Sequence, residues 1–343
     1  MKNSRSYVIL VVLIATAFGF SKYQDLQYPD YFPVPEYNFD NNRLSDEGIE
    51  LGRNLFYDPI LSRDNSVSCA SCHSPYNAFA HTDHDLSHGI DDQIGTRNAP
   101  ALFNLAWQKS FMWDGAINHL DMQALAPISH SGEMDESIQN VVLKLQQKER
   151  YLHLFKEVFG DTPISGAHVL KALSQFQLTL ISANSKYDKV KHGSDLFNEQ
   201  ENKGYALFKA NCNSCHTEPL FSNYSFANNG LIVDTTLNDF GKYAITKQSK
   251  DSLLFKVPSL RNLKFSSPYM HDGRFRRLNE VLNHYTSEII NTETLDPQFE
   301  QSIALSSNEK ADLMAFLQTL NDTDFVFDPK HQFPLNKSKN PKE

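Results

Sequence analysis

Cysteine is scarce in this chain, with four in 343 residues. All four fall in two copies of one pentapeptide pattern, Cys69-Ala70-Ser71-Cys72-His73 and Cys212-Asn213-Ser214-Cys215-His216. None is left for a disulfide, which excludes a small disulfide-stapled scaffold. Apolar runs are short as well. Tyr7 to Phe20 is a 14-residue run behind Lys2 and Arg5. A membrane span needs roughly 20 residues, whereas the apolar core of an export signal is shorter. No clean Ala-x-Ala cleavage site follows, so residues 1–21 read as a cleaved signal or an N-terminal anchor. No cysteine follows the run directly, which excludes a lipid-modified N-terminus. Either way the body is exported, with the periplasm as the expected compartment. Excess positive charge is lacking too. The net charge is -9, so nucleic acid is excluded as a partner. Long apolar–polar alternation is missing, which leaves a mainly α class.

What is present starts with the two pentapeptides. C-x-x-C-H is the attachment pattern of a c-type haem. The two thiols add to the haem vinyl groups and the adjoining His supplies an axial nitrogen to the iron. A zinc site shared between the motifs would have its four N/S ligands. It gives no reason for a His directly after each second Cys. A thioredoxin-like pair would be a lone motif after a strand. Two covalent haem c groups are therefore expected, bound by Cys69, Cys72 and His73 and by Cys212, Cys215 and His216. The 24 Phe and 14 Tyr suit a chain that wraps large flat cofactors.

Along the chain, residues 22–40 are rich in Pro, Tyr and Asp and form an extended lead-in. A helix is expected over 45–57 with Ser45 as N-cap. The spacing of Ile138, Val141, Val142, Leu145, Leu152 and Phe155 predicts one long helix over 135–159, ended by Gly160. Another is expected over 165–181. Polar residues 182–195 mark a boundary between an N-terminal domain, 22–190, and a C-terminal one, 191–343. Gly52-x-x-Leu55-Phe56 before the first motif is echoed by Gly204-x-x-Leu207-Phe208 before the second. The echo predicts two cytochrome-c-like domains. Helices are expected again over 277–290 and 306–320, the latter opened by the Ser306-x-x-Glu309 capping box. The polar tail 328–343 reads as surface-laid or frayed.

A haem with two protein ligands passes electrons, while one with an open or displaceable sixth position binds a small molecule such as peroxide. Peroxide cleavage needs a group that takes a proton and returns it to the leaving oxygen. The residues around the motifs carry a resemblance here. Gly95-Thr96-Arg97-Asn98-Ala99-Pro100, Phe111-Met112-Trp113-Asp114-Gly115, the stretch from Gln123 to Glu133, Pro258-Ser259-Leu260-Arg261-Asn262 and Pro268-Tyr269-Met270-His271-Asp272-Gly273 accompany the two haem motifs. Together they resemble the bacterial di-haem cytochrome c peroxidase family, which includes the enzyme that matures the quinone cofactor of methylamine dehydrogenase.

The resemblance implies the roles of several residues. The His73 haem would be peroxidatic and the His216 haem would receive electrons. Trp113 would relay charge between them. Gln123, Pro127 and Glu133 would line the distal pocket of the first haem, with Glu133 as acid–base. A carboxyl in an apolar haem pocket has a raised pKa, which suits that role. His88 would cap the first iron in an oxidised resting form, with His81 and His84 nearby as alternatives. One calcium would sit between the domains on the Asn98 side chain and the carbonyls of Ser266 and Pro268, with waters. A homodimer would also fit.

One position departs from the classical members. Fourteen residues after His271 they place a Met, and this chain has Tyr285, as the maturation enzyme does. Phenolate ligation favours ferric iron, whereas thioether sulfur raises the potential. Met270 and His284 are rival ligands. The leading expectation is a peroxidase that reduces hydrogen peroxide with electrons from a small cytochrome c or cupredoxin. The alternatives are oxidation of a protein side chain through a Tyr-ligated haem, and a di-haem electron carrier without catalysis.

Overall fold

The computed structural model describes residues 23–301 and 303–334; the expected export segment 1–21 lies outside them. Helix α1 (Asp46–Tyr57) opens on Ser45, whose hydroxyl accepts from the Gly48 N–H at 3.1 Å. Helices α2 (Ile138–Gln146) and α3 (Glu149–Phe159) follow the first motif region. Then come α4 (Gly166–Leu178), α5 (Lys186–Lys191) and α6 (Glu199–Asn211). After a long irregular stretch the chain forms α7 (Leu278–Asn283) and α8 (Ser307–Gln318), the latter with the expected Ser306–Glu309 box. Two-residue strands β1 (Phe226–Ala227) and β2 (Phe255–Lys256) pair antiparallel, with Phe226 opposite Lys256. The fold is mainly helical.

Two crossed helix pairs carry the frame, α1 on α4 and α6 on α8. The echo in the sequence is the seam of each crossing. A Cβ on Gly52 would lie 1.9 Å from the Ala172 carbonyl oxygen, and one on Gly204 would lie 1.9 Å from that of Asp312. Only glycine allows backbones this close. Four residues on, Phe56 meets Phe176 at 5.3 Å and Phe208 meets Phe316 at 5.1 Å between ring centroids. Burying each such ring contributes about 1.5–3 kcal/mol. Phe56, Phe79 and Phe176 belong to one apolar cluster, and Phe208, Phe221 and Phe316 to a second.

One expectation changes. The long helix over 135–159 is two helices, because Lys148 is extended (φ -109, ψ 112). Val141 and Leu145 are buried in α2, but in α3 the buried residues are Tyr151 and Phe155, while Leu152 is 47% exposed. The apolar stripe shifts phase by one residue, and one straight helix cannot bury both halves of it. Of the two readings of the tail, surface-laid or frayed, the described part, 328–334, takes the first. The Tyr57 hydroxyl donates to the His331 carbonyl at 2.5 Å, and the His331 ring is buried. The lead-in docks as well, with the Trp107 indole N–H donating to the Pro33 carbonyl at 2.6 Å.

A buried ion pair links the lead-in, α5 and the second half. Arg261 donates to both carboxylate oxygens of Asp188 at 2.8 Å, and the Tyr31 hydroxyl donates to the same carboxylate at 2.6 Å. Both charged side chains are fully buried. The guanidinium also lies 5.3 Å from the Phe32 ring and 5.4 Å from that of Phe221.

Candidate functional site

Each pentapeptide folds as a tight helical turn that ends on its histidine, whose N–H donates at 2.9 Å to the carbonyl of the motif's first cysteine. The His73 Nδ1 is 2.8 Å from the Phe79 carbonyl. The His216 Nδ1 is 3.0 Å from the Pro258 carbonyl and 3.3 Å from that of Phe221. A carbonyl only accepts, so Nδ1 carries the proton in both rings and the Nε2 lone pair is free for a metal. Burial pushes both imidazoles down to about 4, which keeps them neutral at pH 7. Phe79 (φ 59) and Phe221 (φ 54) take left-handed backbone to turn those carbonyls back.

A cavity of about 610 Å³ opens beside the second motif. Cys212, Cys215 and His216 line it, together with apolar Leu260, Leu282 and Leu317. Two sulfurs, a neutral imidazole and an apolar slot of this size fit a covalent haem. The first motif offers the same donors, with Nδ1 locked in the same way.

The surroundings of the two motifs differ. Beside the first, the loop 87–95 packs on the loop 130–134. Gly89 is wedged there, since a Cβ would lie 2.1 Å from the Gly132 carbonyl oxygen. The Ile90 N–H donates to the Glu133 carbonyl at 2.8 Å. Burial raises the Glu133 carboxyl above its ordinary value, with His130, 3.7 Å away, pulling it partly back. Burial first, and then the charge of Glu133, raise the Cys72 thiol. The His88 carbonyl is 3.8 Å from the Cys72 sulfur, and its ring Nδ1 lies 2.6 Å from Asp92. His88 stacks on His84 at 4.6 Å, and His84 on His81 at 5.7 Å. Gln123 donates to the Met112 sulfur at 3.8 Å, next to Trp113. The Met134 N–H donates to the Pro127 carbonyl at 3.2 Å and closes the Glu133 loop.

Around the second motif, Tyr285 and Met270 both line the cavity. The Asn229 amide donates to the Tyr285 hydroxyl at 3.3 Å and to the Met270 sulfur at 3.8 Å. Tyr285 sits in a π-helical turn, His284–Glu288, that extends α7. Such turns re-aim side chains and are frequent at functional sites. Burial pushes its phenol up to about 12. His284 is buried, with its Nε2 on the Asn229 carbonyl at 3.0 Å, and it does not line the cavity.

Between the halves stands Trp113, buried and lining the cavity, with its indole N–H on the Asn98 carbonyl at 2.8 Å. The Asn98 amide donates to the Pro268 carbonyl at 2.7 Å, so these two expected calcium residues meet directly. Ser266 lines the same cavity.

Three arginines carry connections that the sequence reading did not assign. Arg63 joins Asp91 of the His88 loop to Asp135 beside the Glu133 loop. Arg97 joins Asp114, next to Trp113, to Asp239. Arg261 holds Asp188. The segments holding Arg97 and Arg261 were singled out, but spacing alone could not name their acidic partners.

The family model described as di-haem cytochrome c peroxidase matches residues 46–196. The methylamine utilization protein MauG of Methylophilus methylotrophus is 37% identical over 301 residues, 85% of this chain and 87% of that protein. The cytochrome c551 peroxidase of Nitrosomonas europaea is 33% identical over 279 residues, 79% of each chain. Among solved structures, a MauG-like protein associated with microbial copper homeostasis aligns with a TM-score of 0.82 at 30% identity, covering 91% of this chain and 99% of that one. The pair of histidine-terminated motifs, the two glycine-seated helix crossings and these likenesses have one common account: the chain belongs to the di-haem cytochrome c peroxidase family, MauG proteins included.

Proposed function

We propose that the protein is an exported, periplasmic peroxidase that reduces hydrogen peroxide to two waters with two electrons and two protons. Its electrons come from a small cytochrome c or cupredoxin. The work divides between a peroxidatic domain, 22–190, and an electron-entry domain, 191–343. The observation that carries this is the asymmetry between the motifs. A carboxyl with a raised pKa, Glu133, lies in a loop packed on the His88 loop that reaches Cys72 of the first, while a buried phenol and a thioether lie in the cavity of the second.

Haem iron, held by His73 and by His216, supplies the peroxide-activating and electron-accepting centres when bound. The chain's own residues do the rest. The Glu133 carboxylate would take one proton from hydrogen peroxide and return it to the leaving oxygen. Gln123 presents its amide to the same pocket. Trp113, fixed by Asn98, is the conduit between the halves. His88 would hold the first haem in an oxidised resting form and would have to leave on reduction. Asn98, Ser266 and Pro268 hold one calcium between the domains once the Asn98 amide turns its oxygen inward. Two copies pair as a homodimer.

Half-reduced protein with calcium should consume peroxide catalytically when supplied with a reduced small cytochrome. Absence of reaction, with both haems attached, would sink the peroxidase proposal. A second reading is favoured by Tyr285, which lines the cavity with Trp113. In it the protein draws electrons from a partner's side chain, as a maturation enzyme would. Peroxide consumption that needs no small redox donor and leaves an oxidised protein partner would select it.

A further inference from the structure

A haem brings two propionate carboxylates into its pocket, and a buried carboxylate must be paired. Among the described residues no carboxylate side chain lines the cavity beside the second motif, and few cations do. Arg261 lines it but is held by Asp188 through two bonds of 2.8 Å. His271 is stacked on Phe255 at 3.7 Å and already has Asp272 within 3.9 Å. The remaining cation is Lys256.

The surroundings of Lys256 are those of an unfinished ion pair. Its Nζ donates to the Gln108 side-chain oxygen and to the Ser110 carbonyl at 3.2 Å, both neutral groups. Among the described residues no carboxylate reaches ion-pairing distance of it. Asp114, the acid whose charge acts on it, is bound by Arg97 at 2.6 Å. Burial pulls the ammonium down to about 8, so the half-buried side chain is mostly charged at neutral pH and has no carboxylate partner among the described residues. Its place is fixed by β2, where the Lys256 N–H donates to the Trp113 carbonyl at 2.8 Å. The backbone of Lys256 is therefore tied to that of Trp113 in the cavity wall, and its Nζ is held by Gln108 and Ser110.

We propose that Lys256 is the cation that pairs with a propionate of the haem held by His216, and that its charge raises the potential of that haem. This rests on the haem assignment above. A positive charge beside the porphyrin edge disfavours ferric relative to ferrous iron. It helps this centre accept an electron despite the Tyr285 phenol, and it discourages positive charge from resting on Trp113.

The test is spectroelectrochemical titration of the full holoprotein, wild type against Lys256→Gln and Lys256→Arg, with haem content measured for each. Lys256→Gln should make the His216 haem about tenfold harder to reduce, a fall of about 59 mV for one electron. The His73 haem should move much less, and Lys256→Arg should stay near wild type. Unchanged potentials in Lys256→Gln with both haems attached overturn the proposal and leave the haem assignment intact. If Lys256→Gln fails to retain the second haem, Lys256→Arg must retain it; loss in both overturns charge pairing. A wild-type protein with no haem on Cys212 and Cys215 would instead overturn the assignment beneath.

Discussion

The two halves are built on one frame and equipped differently. Gly52 and Gly204, Phe56 and Phe208, Phe79 and Phe221, Phe176 and Phe316 occupy matching places around the two motifs. Each histidine has its Nδ1 on a carbonyl. That frame fixes where an imidazole Nε2 points and nothing more. What a bound haem can then do is decided by the other groups around each motif. In the first half the His88 loop, which reaches Cys72, packs on the Glu133 loop and is clamped to it by Arg63. In the second the cavity that His216 lines also holds Tyr285, Met270 and Asn229. Shared packing marks the scaffold, and divergent polar groups mark the chemistry.

The strongest way to break this contrast is Glu133→Gln. Peroxide turnover should fall by about two to four orders of magnitude, the usual share of general acid–base catalysis. The carboxylate is the active form, so wild-type turnover should drop as pH falls through a pKa above the ordinary carboxyl value of 4.5. Steady-state rates against pH should show that limb in wild type and not in the variant. Undiminished turnover would remove Glu133 from the reaction and leave the two halves functionally undistinguished.

Next in size is Asp188→Asn. Burial pushes the Asp188 carboxyl up, but the bonds from Arg261 win and hold it below 3.8. The pair therefore stabilises above that pH, and its contribution fades as pH falls through the lower folded value. Removing the charge leaves Arg261 buried with only the neutral Pro219 carbonyl as acceptor and no counter-charge, at a cost of about 3–5 kcal/mol. Asp135→Asn in the exposed clamp with Arg63 should cost about 1 kcal/mol or less. Denaturant unfolding of both variants tests this. Equal costs would show that the buried pair does not brace the joint between the lead-in, α5 and the second half as the geometry indicates.

The frame was legible in the sequence because it rests on local signals. Two five-residue motifs, a repeated glycine–aromatic seam and the caps at Ser45 and Ser306 are each visible within a few residues. The break at Lys148 was not, because Leu152 and Tyr151 are both apolar enough to extend the stripe. The links within and between the halves were hidden for another reason. Arg63 finds partners 28 and 72 residues away, and Arg261 finds one 73 residues away, pairings set by tertiary geometry. The candidate site was legible mainly through resemblance. Composition offers many carboxylates, and none stands out as Glu133 until its loop is seen against the His88 loop that reaches Cys72.

Tyr285→Met should move the potential of the His216 haem upward by on the order of 0.1 V, within the range over which axial ligands tune haem. The His73 haem should stay where it is. Low-temperature magnetic spectra would show the ligand change directly. An unmoved potential would hand the sixth position to Met270, the other side chain that Asn229 touches, and would make the second half resemble a classical electron-entry haem.

The smallest effect tests the shared frame itself. Gly52→Ala and Gly204→Ala put the same methyl 1.9 Å from a carbonyl oxygen in the two crossings. Overpacking of this kind costs about 1–3 kcal/mol. Thermal unfolding of the holoprotein should show losses of similar size for both. The control is Gly193→Ala, where φ is +74 but nothing lies within 4 Å of the added atom. It carries only the backbone strain, about 1 kcal/mol. A large loss at one crossing and none at the other would mean that one helix pair can slide to admit a methyl. The halves would then differ in scaffold as well as in chemistry, and the sequence echo between them would mark common packing in only one.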